Sequence, residues 1–539
     1  MTAVTATEFA PRRSGAGQLA GTGALVRLAL RRDRVLIPVW VAVIALAVLS
    51  LPGALESMYG TAAERAEVAR QMLANSSLRA TYGPVFGDSL GGLVAWRIGV
   101  YAGLFAAIVS LVVVVRHTRD EEESGRQELL SSAMVGRRAP LTAALLTALV
   151  ANAALALLIT GGLVGQGLGP SGALALGLGT AGVGMVFATA AAIAAQLTQS
   201  ARLAKGLTGG LLGAAFVLRA AGDAAESDGS SVLTWASPVG WLEHLRAYAD
   251  ERWWVLLLLV GAIAVQGSVA YGLAGRRDIG MSFLPTRPGP ATGRLGTAGA
   301  LAWRLQRGSV LGWGLGFLAA GVAFGGITGG ATELVGDNER TREIIERMGG
   351  RSGLTDAFLG SMAGMLGMVA ALYIVQSVLR QHTEETSQRA EPVLANVVGR
   401  LRWASGHLVI AFGGSVLLLL LGGLGLAAGY GGRSGAVIGA CLVQLPAVWV
   451  IGGCAVLLHG VWPQAAPAAW GVAGAALLIG WLGPALNLPG AVMDLSPFSH
   501  LPELPGGPMT WGPVGVLTGL AVVLVAAGLA GLRRRDLLT

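Results

Sequence analysis

The sequence predicts an all-α polytopic membrane protein of about twelve transmembrane helices, arranged as two parallel six-helix repeats. Three observations predict it: a charge-poor composition, apolar runs long enough to cross a bilayer, and a charged segment that occurs twice. Of 539 residues, 53% are hydrophobic and 13% charged, with mean hydropathy +0.64. Soluble proteins carry about 25% charged residues. The 83 glycines lie inside Leu/Val/Ala runs, where membrane helices tolerate them.

A bilayer core of about 30 Å needs roughly 18 or more apolar residues. Twelve runs qualify: 35–54, 92–115, 139–163, 172–198, 205–221, 253–274, 310–330, 359–379, 403–427, 435–460, 468–485 and 511–532. Residues 1–23 hold no apolar core, so no cleavable signal peptide is expected. Placing the N-terminus in the cytoplasm gives that face a charge of +14 and the other −6, which sum to the formal +8. This asymmetry follows the positive-inside rule, so the basic balance reports topology in the cell membrane and no nucleic-acid partner. Both termini are then cytoplasmic. Cys441 and Cys454 share the tenth run, too far apart along one helix to bridge. The six histidines show no metal-ligand spacing.

The charged segment follows the second run. Offsetting the chain by 263 places Glu121, Glu122, Arg126, Glu128, Gly136 and Arg137 on Glu384, Glu385, Arg389, Glu391, Gly399 and Arg400. Four further matches keep the same order. "RRDRVLIPVW" (31–40) pairs with "RLQRGSVLGW" (304–313), and "ERAEVARQM" (64–72) with "ERTREIIERM" (339–348). "ASPVGW" (236–241) pairs with "LSPFSH" (495–500), and "GLAGRRD" (272–278) with "GLAGLRRRD" (528–536). Equivalent positions are separated by an even number of runs, so the repeat is parallel. The chain divides into a first half, 1–278, a Pro/Gly-rich cytoplasmic linker, 279–300, and a second half, 301–539.

Within the first copy, Ser124 and Gln127 have capping-box spacing. Leu129, Leu130, Ala133 and Met134 then fall on one helical face. Val393, Leu394, Val397 and Val398 repeat that spacing one residue later. Two readings fit a short amphipathic helix here: a helix resting on lipid, or one docking a protein. The acids Asp120 to Glu123 would be repelled by an anionic leaflet and suit a basic protein surface.

"EEESGRQELLSSAMVGRR" resembles the segment after the second span in permeases of the type-two ATP-binding-cassette exporter family. That segment has the form E-x-x-G-T-x-E-x-L-L-S-[ST]-P-V-S-R and forms a coupling helix against the ATPase subunit. Arg126 and Gln127 depart from the pattern, as do Met134 and Gly136; in the second copy Gln388 stands for Gly125 and Pro392 for Leu129. Pro392 breaks a helix begun earlier, so the second element is expected to start there and be shorter. "LSPFSHLPELPG" (495–506) resembles the family's outer loop before the last span. With the duplication, the linker and "SPVGW", the chain is similar to the large actinobacterial permeases grouped as exporters of polyketide antibiotics.

The resemblance implies amphipathic cytoplasmic coupling helices, re-entrant outer segments, and coupling residues at Glu121, Glu122, Arg126, Glu128, Leu129, Leu130, Arg137, Glu384, Glu385, Arg389, Glu391, Leu394 and Arg400. It also implies a separate ATPase subunit in two copies, which binds ATP and Mg, and a hydrophobic drug or antibiotic as cargo within membrane lipid. The chain itself has no phosphate loop G-x-x-x-x-G-K-[ST], because its one lysine, Lys205, is followed by Gly206. It is therefore expected to bind no cofactor and to be no enzyme. The rival is a proton-coupled multidrug antiporter, which needs acids inside its spans; the twelve runs contain none. A non-transporting scaffold or receptor leaves the repeated segment unexplained. Arg97, inside the second run, is either a contact for an acidic substrate or an arginine snorkelling beside Trp96. Gln376 and Gln444 are expected to bond between helices along the substrate pathway.

Overall fold

The computed structural model describes residues 15–131, 135–278, 280–284, 293, 296–334, 350–396, 398–482 and 489–536. Among them there is no strand, and the chain is an all-α polytopic membrane protein. It separates into two compact units, Met1–Pro288 and Gly289–Thr539. The second half, expected from 301, opens with a helix that begins at Ala298, three residues inside the expected linker, half of which lies outside the described residues.

In unit 1 the helices are α1 (Thr22–Arg32), α2 (Leu36–Leu49), α3 (Leu51–Met58), α4 (Ala62–Ala74), α5 (Ser76–Tyr82), α6 (Leu90–Arg116), α7 (Arg119–Glu123) and α8 (Arg126–Ser131). They are followed by α9 (Ala139–Gly165), α10 (Pro170–Leu197), α11 (Ala201–Ala225), α12 (Val232–Ala236), α13 (Pro238–His244) and α14 (Val255–Arg276). The hub is α10, which packs on α6, α9, α11 and α14. Its length is lined by Ala, Gly and Val, with Gly172, Gly177, Gly179 and Gly184 all buried. Small residues let membrane helices approach closely where no water drives their association.

Unit 2 contains α15 (Ala298–Leu334), α16 (Gly350–Thr386), α17 (Glu391–Leu394), α18 (Arg400–Tyr430), α19 (Ser434–Leu442), α20 (Leu445–Val461), α21 (Ala469–Leu482) and α22 (Trp511–Arg534). Its tightest seam is α15 on α18. There a Cβ on Gly321 or Gly425 would run into backbone atoms of the facing helix. The expected outer helix at 339–348 lies outside the described residues.

Eleven described segments are long and apolar enough to cross a membrane, one fewer than the expected twelve. The eleventh run, 468–485, passes beyond Leu482 into residues outside those described; the described part, α21, has 14 residues. A 3₁₀ turn over Pro463–Ala468 precedes it, because Pro463 and Pro467 withhold the N–H groups an α-helix needs. The tenth is broken between α19 and α20, where Pro446 opens the second piece.

The Ser-Pro elements occupy matching places in the two units. Ser237 Oγ donates to Ala215 O at 2.7 Å, on α11. Ser496 Oγ donates to Ala476 O at 3.3 Å, on α21. Both serines are fully buried.

The capping box expected at Ser124 is not what opens α8. Ser124 closes α7, its hydroxyl donating to Glu121 O at 3.1 Å. Gly125 then turns the chain with φ +71°, and its carbonyl receives Glu128 N–H at 3.2 Å. Gln388, at the corresponding place in unit 2, has φ +58°. The left-handed turn is thus kept where the glycine is not. A side chain in that region costs about 1–2 kcal/mol, and open space around the Gly125 Cβ position leaves conformation as its only penalty. Gly125→Ala should lower stability by about 1 kcal/mol, whereas Gln388→Gly should leave it equal or higher. Thermal unfolding in detergent checks both; a more stable Gly125→Ala protein would refute the account.

Candidate functional site

The charged segment gathers the ends of five helices in unit 1. Arg119, only 1% exposed, donates to Ala195 O at 3.1 Å, Glu122 Oε2 at 2.6 Å and Met281 O at 3.1 Å. Arg277, just past α14, grips the same glutamate with two nitrogens, at 2.8 Å to Oε2 and 2.6 Å to Oε1. Its Nε donates to Gln196 Oε1 at 3.0 Å. Glu121 is shared by Arg32 of α1 and Arg126. Lys205 of α11 pairs with Asp120 at 2.8 Å. Asp33 is buried against His117 at 2.7 Å and Arg116 at 3.3 Å. Planar guanidinium forks match carboxylates in this two-point way, which fixes orientation as well as charge.

Unit 2 has the same central pair. Arg535, past the end of α22, holds Glu385 with two nitrogens at 2.6 and 2.7 Å. His459 stands 3.6 Å from that carboxylate, at the position corresponding to Gln196. A second contact also recurs: Arg137 donates to the carbonyl of Arg277, and Arg400 to the carbonyl of Arg535. Each clamp therefore joins the end of the second span, the start of the third and the end of the last. Glu384 pairs with Arg380 at 2.6 Å, and its carbonyl receives the N–H groups of Arg389 and Ala390.

Of the residues singled out in the sequence, Glu121, Glu122, Glu384 and Glu385 turn inward and bind within their own unit. Arg126, Glu128, Arg389 and Glu391 are exposed. The side chains of Leu129 and Leu130 lie outside the described residues. Leu394 is half-buried, packed with Ala390, Trp403 and Leu532, and α17, with Pro392 in its first turn, has four residues against six in α8. A groove of ≈ 320 Å³ runs beside α8, lined by Leu25, Leu28, Arg32, Glu121, Arg126 and Gln127 among others.

The possible substrate-path residues are scattered. Arg97 is exposed and sits over the Tyr82 ring at 4.4 Å. Gln376 receives the Trp313 indole N–H at 2.9 Å across α15 and α16. Gln444 is buried at the α19–α20 break, against Gly367.

Sequence reasoning missed a charged cluster at the opposite end of unit 1. Arg219 and Asp223, both fully buried on α11, meet Glu243 of α13. The apolar run of 205–221 stops short of Asp223, but the helix continues to Ala225, so this membrane-length helix does carry an acid. The available signal was the Arg219/Asp223 spacing of one helical turn. Burial pushes the Glu243 carboxyl well above the ordinary carboxylate range, opposed by Arg219 and reinforced by Asp223. Burial also lowers His244 to about 4; its ring stacks on Trp235 at 3.8 Å.

Membrane-length helices seamed by small residues, with charges paired at their ends, define a polytopic helical membrane protein. The chain belongs to the family of multidrug efflux permeases. Residues 295–533 match the family described as "Multidrug efflux system permease Rv1217c, C-terminal domain", a stretch lying within unit 2. Over 537 residues, 98% of this chain and 97% of the relative, the sequence is 42% identical to the "Multidrug efflux system permease protein Rv1217c" of Mycobacterium tuberculosis (strain ATCC 25618 / H37Rv).

Removing one partner of a buried ion pair costs about 3–5 kcal/mol. Arg535→Ala should approach that figure, because it strips the 1%-exposed side chain of Glu385 of its bidentate cation. Arg277→Ala should cost less, since Glu122 keeps Arg119. Thermal unfolding of the purified variants reads the difference, and equal small losses would show the clamps to be dispensable.

Proposed function

We propose that this efflux permease is the transmembrane subunit of an ATP-driven exporter of the type-two ATP-binding-cassette class, moving hydrophobic drugs or polyketide-type antibiotics out across the cell membrane. The observation carrying this reading is the charged segment that follows the second span of each unit, clamped in the same way to the end of the last span. Such a clamp makes the segment and two spans move as one body. A push on the exposed Arg126 and Glu128, or on Arg389 and Glu391, then reaches the spans without loss in a flexible loop.

In this reading the two units are copies of one six-span fold, both termini and both charged segments are cytoplasmic, and two copies of a separate ATPase dock there. ATP and Mg belong to that partner. The chain's one lysine, Lys205, lies in no phosphate-loop pattern, and in this reading hydrolysis is left to the partner. The family relationship supports drug efflux, and the resemblance of the charged segment supports the source of energy.

Two experiments test the reading. The purified chain alone should hydrolyse no ATP, with turnover appearing only when a cognate ATPase is co-purified; hydrolysis by the lone chain, cleared of contaminants, sinks the assignment. Charge reversal of Arg126 and Glu128 should lower drug-stimulated hydrolysis and export more than tenfold, since bonds to charged groups contribute about 1.5–3 kcal/mol each. Folding should be nearly unaffected, because the Arg126–Glu121 pair is half exposed and such pairs contribute about 1 kcal/mol or less. Reversing Arg389 and Glu391 should have a milder effect on account of the shorter α17. Export unchanged with both pairs reversed would remove the coupling role from these segments.

A further inference from the structure

The cluster at the far end of unit 1 has a charge arrangement that efflux driven from the other end does not require. One guanidinium nitrogen, Arg219 Nη1, serves two carboxyl groups: Glu243 Oε1 at 2.9 Å and Asp223 Oδ2 at 3.3 Å. Arg219 and Asp223 are 0% exposed at their side chains and Glu243 is 7% exposed. Asp223 Oδ1 is satisfied by the Thr234 hydroxyl at 2.8 Å. Glu243 Oε2 is buried and takes no donor. The carboxyl presses on Gly83, where a Cβ would fall 2.6 Å from Oε1. Beside it lies a cavity of ≈ 40 Å³ lined by Tyr82, Phe86, Trp96, Leu242 and Arg246 among others, room for a water or two.

The neighbouring cations are engaged elsewhere. Arg79 donates to the carbonyls of Asp223, Ala224 and Leu73. Arg246 lies over Phe86 at 4.3 Å and Arg97 over Tyr82 at 4.4 Å. His244 is stacked on Trp235, and Tyr101 donates to Thr81 O at 3.3 Å. Arg219 is thus the cation whose N–H groups point at both acids. Two carboxyl groups facing one buried guanidinium raise each other's proton affinity, and a proton held by one of them removes the excess charge.

We propose that Glu243 is a proton-binding site: the resting fold holds its carboxyl protonated, leaving Arg219 and Asp223 as a neutral pair. Arg219 Nη2 also donates to Ala80 O at 2.7 Å and Thr81 O at 3.2 Å, so the same guanidinium pins the α5 end. Release of the proton leaves one buried negative charge in excess and draws Arg219 toward it. The connection after α13 then yields; Arg246, Tyr248 and Asp250 already hold left-handed conformations there, with φ of 53°, 64° and 55°. An acid whose folded pKa is raised contributes stability fully at acid pH, and loses it as pH climbs toward the raised value.

The test is infrared spectroscopy of the detergent-purified full chain, followed through the carbonyl stretch of a protonated carboxyl, together with thermal unfolding between about pH 5 and pH 9. Wild type should show the band at neutral pH and lose on the order of 5 °C of Tm across the range. Glu243→Gln should lack the band and flatten the slope. Asp223→Asn should also lose the band, because Arg219 is then free to pair with an ionised Glu243; this variant decides the matter if Glu243→Gln does not fold. A band that survives either substitution, or its absence from wild type throughout the range, overturns the proposal. Neither readout involves an ATPase or transport, so the result stands apart from the proposed mode of energisation.

Discussion

The two-point grip of an arginine on a glutamate, Arg277 on Glu122 and Arg535 on Glu385, is the constraint on which the charged end of each unit depends. Without it, acids at the end of a span would face the choice between water and an unpaired burial that costs several kcal/mol. With it, they can sit inside the fold and tie sequence-distant elements together. The arginine comes from just beyond the last span of its unit, so closing the clamp requires all the intervening helices to be in place. It is one of the long-range contacts that hold the helices of a unit together.

The spans themselves obey a different rule. Lipid offers no hydrophobic gain for packing one apolar helix on another, so close approach of backbones has to supply the contact energy. The many glycines find their use there, as at Gly321 and Gly425, where a methyl group would strike the facing helix. Among the described residues, charges stay out of these seams and collect at the helix ends. The exception is α11, whose Arg219 and Asp223 are buried together and whose third partner arrives from α13. Unit 2 places the apolar α21 at the corresponding Ser-Pro contact, so the charged cluster belongs to unit 1 among the described residues.

Hydropathy located eleven of the twelve expected spans because length and composition alone decide whether a segment can cross a bilayer. The run at 468–485 is helical from Ala469 to Leu482, and its residues beyond Leu482 lie outside those described. Gln388, which departs from Gly125 in chemistry, reproduces its left-handed backbone, since the chain must turn there to bring the next segment back under its span.

What the sequence determined by itself, then, was the number and position of most spans, the recurrence of the charged segment and the break at Pro392. All follow from local composition, spacing or a missing backbone N–H. Tertiary structure decided the direction of each charge. Glu122 and Arg126 are four residues apart in one acidic-basic run, yet one is sealed against Arg277 and the other is open to solvent. Glu243 is set among acids and cations only by the fold, which brings Arg219 and Asp223 of α11 against it. A charge is buried or exposed according to the partners that folding brings to it; Glu243 meets Arg219 from 24 residues away and Glu122 meets Arg277 from 155, distances that no local pattern spans.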